Sequence, residues 1–352
     1  MSRAAVLCGL GGSLPERIVS NEELAEQLDT SDRWIRTRTG IGQRHVVAPG
    51  QSTSDLAVAA GAQALASARA TAGRADDGVD PVDPVDPVDL VVLATSTPDR
   101  PCPATAPDVA HRLGLGHVPS FDVSAVCTGF VYALATAASM ITAGIAGRAL
   151  VIGADTFSTI LDPADRTTRA IFGDGAGAVV LRAGDSGEPG ALLGFDLGSD
   201  GSGADLITVR AGGSRQRSVP GPAAEGEEFF TMDGRPVFTR AVLDMSRSSQ
   251  SLLERVGWSA AEVDKVVAHQ ANIRILNAVG EQLGLEEKQI VANLDRVGNT
   301  VAASIPLALR DAVAGGELQP GHRVLLTGFG GGLTWGSAAL VWPELETGRP
   351  HR

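Results

Sequence analysis

Asp122-Val123-Ser124-Ala125-Val126-Cys127-Thr128-Gly129-Phe130 joins two kinds of periodicity. Residues 120–126 form a short apolar, β-branched run of the sort that fills a strand buried on both faces, and residues 128–146 are small and apolar at helical spacing. Working outward, runs at 4–10, 90–95, 149–154 and 176–181 read as further strands. Stretches 21–28, 53–72 and 106–113 read as helices, several opened by a capping residue such as Asn21 or Ser52. After a polar, glycine-rich interval the alternation resumes, with strands at 191–197, 265–269, 323–327 and 336–341 and helices at 235–256, 272–283 and 300–314. The chain therefore reads as α/β with a second half that echoes the first. The halves divide as 1–185 and 186–345, followed by a tail over 346–352.

A length of 352 residues is enough for two such halves. With 29 Lys and Arg against 41 Asp and Glu, the net charge of −12 argues against a surface that must neutralise many phosphates, so no nucleic-acid partner is expected. No run of about 18 apolar residues occurs, and the N-terminal apolar stretch meets Gly and Pro before it could serve as a signal core; the expectation is a cytoplasmic protein without membrane association. The three cysteines, Cys8, Cys102 and Cys127, form no C-x-x-C pair, so neither a metal site nor a disulfide frame is expected. Tandem Val-Asp-Pro over 79–89 reads as a solvated loop, because proline at every third position neither propagates a helix nor donates to a ladder. The polar, Gly/Pro-rich stretch 212–226 reads as a flap near a site.

Cys127 stands where strand gives way to helix. There the sulfur can lie over a helix N-terminus, whose dipole and unpaired N–H groups favour thiolate; the plainer alternative is a small buried hydrophobe. His269 closes the strand run 265–269 just before a helix, at the end of a sheet strand where α/β folds bind ligands. Asn299 follows in Arg296-Val297-Gly298-Asn299-Thr300, where an amide can also simply cap the next helix. Thr327-Gly328-Phe329-Gly330-Gly331-Gly332-Leu333-Thr334-Trp335-Gly336 lets backbone N–H groups approach a ligand oxygen, or closes a tight hairpin.

Taken in order, 122–130, His269-Gln270-Ala271-Asn272, Gly298-Asn299-Thr300 and 328–336 resemble the active-site segments of β-ketoacyl-acyl-carrier-protein synthase III, the initiating condensing enzymes of the thiolase superfamily. So do Asp32-Arg33-Trp34-Ile35-Arg36-Thr37-Arg38-Thr39-Gly40-Ile41 and Phe172-Gly173-Asp174-Gly175-Ala176-Gly177-Ala178, and the resemblance spans about residues 4 to 342. It implies a thiolase-like five-layer αβαβα fold of two similar halves, present as a homodimer.

The same resemblance implies an acyltransferase that starts fatty-acid or polyketide chains, with acyl-CoA and malonyl-acyl carrier protein as substrates and no cofactor. Cys127 is implied as nucleophile, His269 and Asn299 as the donors that stabilise the enolate, and the N–H groups of Cys127 and Gly331 as the oxyanion hole. Trp34 and Arg166 are implied to clamp the CoA adenine, Arg38 to approach its phosphates and Arg274 to meet the carrier protein. Asn272 supports the site, and the Asp174 loop is structural. Cys102 falls where some relatives place a Phe that crosses the dimer interface and closes the primer pocket. The smaller side chain implies room for primers bulkier than acetyl, within a pocket that Phe230, Met232 and Phe238 also shape. Two other readings remain at this point: an acyltransferase of the same fold that passes the Cys127-bound acyl group to an alcohol or amine, and a non-catalytic scaffold in a synthase complex.

Overall fold

The computed structural model describes residues 2–74 and 87–346. Most of the expected loop at 79–89, and the tail beyond Glu346, lie outside the described residues. Five strands build a first sheet in the order Arg3–Ser13, Gly175–Asp185, Arg148–Asp155, Leu90–Ala94, Ser120–Val123, with the last three mutually parallel and the others antiparallel. Four strands build a second in the order Lys265–Ala268, Arg323–Gly330, Thr334–Val341, Leu192–Ser199, of which the first pair is parallel. A parallel bridge from Val266 to Ile290 continues the second sheet on the side where the first carries Ser120–Val123. The chain crosses from one sheet to the other between Asp185 and Leu192.

Residue alternation along the strands fixes the layers. In Leu90–Ala94, the residues Leu90, Val92 and Ala94 pack inward on the central helices Gly129–Thr142 and Ser304–Ala314, whereas Val91 and Leu93 pack outward on Thr53–Arg74 and Ala106–Arg112. Likewise Val324 and Leu326 face the central helices while Leu325 faces the outer layer, with Gly234–Val256 and Ile273–Leu283. Sheets buried on both faces explain the near-continuous apolar runs. Each outer layer has its own apolar cluster, and the central cluster is shared by both sheets. Among the described residues no helix is long and apolar enough to cross a membrane, and no group of three metal-ligating side chains occurs.

Boundaries differ from the sequence expectation where the backbone turns sharply. The run 120–126 ends as a strand at Val123, because Val126 sits at φ 47 and opens a 3-10 turn, Val126–Thr128, ahead of a helix that runs from Gly129 to Thr142 rather than to 146. The helix expected over 300–314 starts at Ser304 for the same reason: Val301, at φ 52, heads a second 3-10 turn, Val301–Ala303. Asp32–Thr39 forms a helix capped by Ser31, and Gly40 ends it at φ 80. In 328–336, Gly328 and Gly330 belong to a strand and the residues between Gly330 and Thr334 make the hairpin turn. The stretch 212–226 holds a short helix, Ser214–Arg217, and lines a surface cavity with Arg210 and Asp205 rather than the cavity beside Cys127.

Candidate active site

Three distant stretches meet at one cavity of about 160 Å³ between the halves, where Cys127, His269 and Asn299 all contribute to the lining. Each is buried. Cys127 sits on the turn that follows the half-buried edge strand Ser120–Val123, His269 immediately after the Lys265–Ala268 strand, and Asn299 in the turn after the short helix Leu294–Val297. The Asn299 backbone is fastened to the first half: its N–H donates to the Ile171 carbonyl at 2.9 Å and its carbonyl accepts from the Gly173 N–H at 3.0 Å.

Hydrogen bonds fix which atoms face the cavity. Asn299 Oδ1 accepts from the Val301 N–H at 3.0 Å, so the amide NH2 is the end left to donate. His269 Nδ1 lies 2.7 Å from Ser304 Oγ, and both side chains are buried. Ser304 Oγ makes no other hydrogen bond among the described residues; when its O–H donates to Nδ1, the proton of a neutral imidazole stands on Nε2. Burial pushes the His269 pKa down to about 3 against an opposing backbone contact at Val301, so the imidazole is neutral at physiological pH. In that tautomer the arrangement presents two neutral N–H donors to whatever oxygen occupies the cavity.

Burial acts on Cys127 in the opposite sense. It pushes the thiol far above its ordinary value; the nearby Asp155 carboxylate adds to the rise and a backbone hydrogen bond at Cys127 opposes it. Desolvation thus outweighs the helix-terminus effect expected from the sequence, and the resting form is the thiol. The Gly330 backbone runs so close beneath Cys127 that a Cβ there would lie 2.8 Å from the Cys127 nitrogen. Gly331, next in the chain, lines a second cavity of about 400 Å³ together with Ser96, Ala125 and Thr334. Val126, Phe157, Ile207 and Phe230 belong to both linings and form the wall between the two cavities. Phe157, Phe172 and Phe230 stiffen this wall through mutual ring contacts at 4.7, 4.9 and 5.1 Å between centroids, each worth roughly 0.5–1.5 kcal/mol.

Met232 and Phe238 join Phe230 on the first cavity, whereas Cys102 lies exposed on a loop and lines neither cavity of its own chain. Arg38 and Arg166 both lie over the half-buried Trp34 ring, at 4.5 and 5.4 Å, and Arg166 is tied to Asp29. Asn272 caps Ile273–Leu283 by accepting from the Arg274 N–H at 2.9 Å, and it donates to the Arg38 carbonyl at 3.0 Å, so it joins the Trp34 helix to the cavity it also lines. Arg274 is exposed, with its guanidinium 5.5 Å from the Phe238 ring. Asp174 accepts from Val47 and Ser158 and pins the turn that carries Phe157. Sequence reading missed Ser304, Phe157 and Asp155; a hydroxyl five residues past Asn299 carries no signal by itself, because its partner His269 is 35 residues away.

Two family models match the chain: 3-oxoacyl-[acyl-carrier-protein (ACP)] synthase III over residues 121–201 and its C-terminal counterpart over 253–342. Beta-ketoacyl-[acyl-carrier-protein] synthase III 5 of Streptomyces coelicolor is 59% identical over 345 residues, which is 98% of this chain and 99% of that protein. The crystal structure of 3-oxoacyl-(acyl carrier protein) synthase III from Pseudomonas aeruginosa PAO1 superposes with a TM-score of 0.87 at 54% identity, over 97% of this chain and 99% of that one. The priming β-ketosynthase of the R1128 polyketide biosynthetic pathway superposes at 0.86 with 33% identity, over 97% of both chains.

Proposed function

The chain belongs to the β-ketoacyl-[acyl-carrier-protein] synthase III family, condensing enzymes of the thiolase fold that initiate fatty-acid or polyketide chains, and from that premise we propose how its own residues carry the reaction. Cys127 Sγ attacks the thioester carbonyl of an acyl-CoA primer, the carbonyl electron pair moves onto oxygen, and the N–H groups of Cys127 and Gly331 hold that oxyanion. Collapse breaks the carbon–sulfur bond to CoA. The Cys127 proton leaves with the CoA thiol, so acyl transfer to the enzyme is proton-neutral overall. Malonyl-acyl carrier protein enters next. Its carboxylate leaves as CO2 and the bonding pair passes to the thioester oxygen as an enolate, which accepts from His269 Nε2–H and the Asn299 NH2. The enolate carbon then attacks the acyl-Cys127 carbonyl, and expulsion of the Cys127 sulfur as thiolate gives β-ketoacyl-carrier protein; the thiolate takes one proton from water to restore the resting thiol. No cofactor takes part.

Arg38, Arg166 and Trp34 offer a stacking surface and positive charge for the CoA nucleotide, and exposed Arg274 offers a fixed charge to an acidic carrier protein from an enzyme that is itself acidic. A second copy of the chain brings Cys102 to the primer pocket. The observation that carries the reading is the meeting of a thiol, an imidazole and a carboxamide at one cavity. Asn299 in that cavity weighs against simple acyl transfer to an alcohol or amine, which needs no enolate pocket, and the intact thiol weighs against a scaffold. The test is incubation with labelled acyl-CoAs of several lengths, with and without malonyl-carrier protein, following label on protein and CO2. Cys127→Ala should abolish labelling. His269→Ala and Asn299→Ala should each cut CO2 release on the order of 10²–10³-fold and leave labelling of Cys127 largely intact. A Cys127→Ala enzyme that still labels overturns the nucleophile, and labelling without CO2 from the wild type favours acyl transfer.

A further inference from the structure

We propose that Asp155 is a positioning residue for the decarboxylating donors, acting from the first half of the molecule on the turn that carries Asn299 and Ser304. The carboxylate is completely buried at the end of the Arg148–Asp155 strand. Its Oδ1 accepts from the Ser96 N–H at 2.7 Å, the Thr97 hydroxyl at 3.1 Å and the Thr95 hydroxyl at 3.3 Å. Its Oδ2 accepts from a single donor in the other half, the Ala302 N–H at 3.0 Å. Among the described residues no Lys or Arg pairs with it. Burial pushes its pKa up to about 7 against those four hydrogen bonds. A buried carboxylate without a cation is costly, and the fold tolerates it where its acceptor oxygens are needed.

What Oδ2 holds is the middle of the donor turn. Three residues before Ala302 stands Asn299, whose Oδ1 is held by the Val301 N–H; two residues after it stands Ser304, whose hydroxyl sets the His269 ring. A displacement of Ala302 therefore moves both donors together. Asparagine at position 155 cannot reproduce the bonding. With its oxygen kept toward Ser96 and the two threonines, its NH2 meets the Ala302 N–H; with the amide turned over, its NH2 meets the Ser96 N–H, the shortest of the four contacts. The first orientation keeps three bonds and gives up the one to the donor turn.

The inference rests on the roles assigned above to His269 and Asn299. In Asp155→Asn, CO2 release from malonyl-carrier protein should fall roughly 10- to 100-fold, the scale of an ångström-sized misplacement, while labelling of Cys127 by acyl-CoA does not fall, because the lost carboxylate is one that raises the Cys127 pKa. An equal fall in both half-reactions, or no fall in CO2 release, overturns it. Because Ser304 acts through the same turn, the double variant with Ser304→Ala should lose less CO2 release than the product of the two single losses; a fully multiplicative loss also overturns it. Should Asp155→Asn fail to fold, Thr95→Val keeps the carboxylate and removes its longest hydrogen bond; the same split at smaller size is expected, and equal or absent effects count against the proposal. If His269→Ala and Asn299→Ala release CO2 normally, the donor roles fall instead; if those variants are crippled and Asp155→Asn is not, only the present inference falls.

Discussion

Cys127 and His269 line the same cavity, and burial moves them apart on the pH scale: the thiol upward, the imidazole down to about 3. Each shift disfavours the charged form, so the resting pair is neutral. The sign for each half-reaction follows. With the thiol pKa above the working range, the thiolate fraction grows about tenfold per pH unit, so labelling of Cys127 by acyl-CoA should climb continuously from about pH 6 to 9. With the imidazole already neutral above roughly pH 4, a fall in CO2 release from malonyl-carrier protein as the medium is acidified from pH 8 belongs to Asp155, whose pKa is pushed up to about 7, and should vanish in Asp155→Asn. Stopped-flow labelling and CO2 assays over that window check both; a labelling plateau below about pH 7, or an acid limb of CO2 release near 6.5 that persists in Asp155→Asn, would refute the corresponding assignment. The types of these residues and their junction positions were legible in the sequence. Their protonation was not, because it depends on burial and on partners such as Ser304 and Asp155 that lie 35 and 147 residues from what they hold.

The two central helices enter through equivalent elbows. Val126 at φ 47 and Val301 at φ 52 are β-branched residues held in the left-handed region, each followed by a 3-10 turn and then a buried helix, so the internal echo reaches down to single backbone angles. Cys127 tops one elbow and Ala302 the corresponding position of the other. Apolar runs and helical spacing were enough to find the strands and helices either side, but a positive φ at valine leaves no mark in a hydrophobic pattern. The expected strand 120–126 therefore overran, as did the start of the helix at 300. The halves approach closely where the first sheet meets the second elbow: a Cβ at Gly153 would lie 2.2 Å from the Ala302 carbonyl oxygen. Gly153→Ala must push backbone rather than a side chain, so a loss of about 1–3 kcal/mol in stability is expected. Thermal melting checks the loss, and the half-reaction assays should show CO2 release falling more than labelling. Unchanged melting together with unchanged rates would mean that the halves are not seated against each other at this point.

The molecule as a whole is two similar sheets facing each other across a shared pair of helices, with the reactive groups drawn from both halves. That much could be anticipated from the repeating alternation, because sheets buried on both faces write unbroken apolar runs. The cavity of about 400 Å³ beyond the Phe157 and Phe230 wall lies open, and Cys102 of the same chain does not border it. If a second copy brings its Cys102 loop there, the side chain at 102 governs primer size although no intrachain contact links it to Cys127. Cys102→Phe should then reduce labelling by branched or longer acyl-CoAs by roughly 10- to 200-fold, the usual worth of pocket volume, while acetyl-CoA labels at close to the wild-type rate. Light scattering should return a dimer for both proteins. A monomer, or a variant whose primer preferences match the wild type, would place Cys102 away from the pocket in solution as it is within the chain, and would leave Phe230, Met232 and Phe238 to set primer size alone.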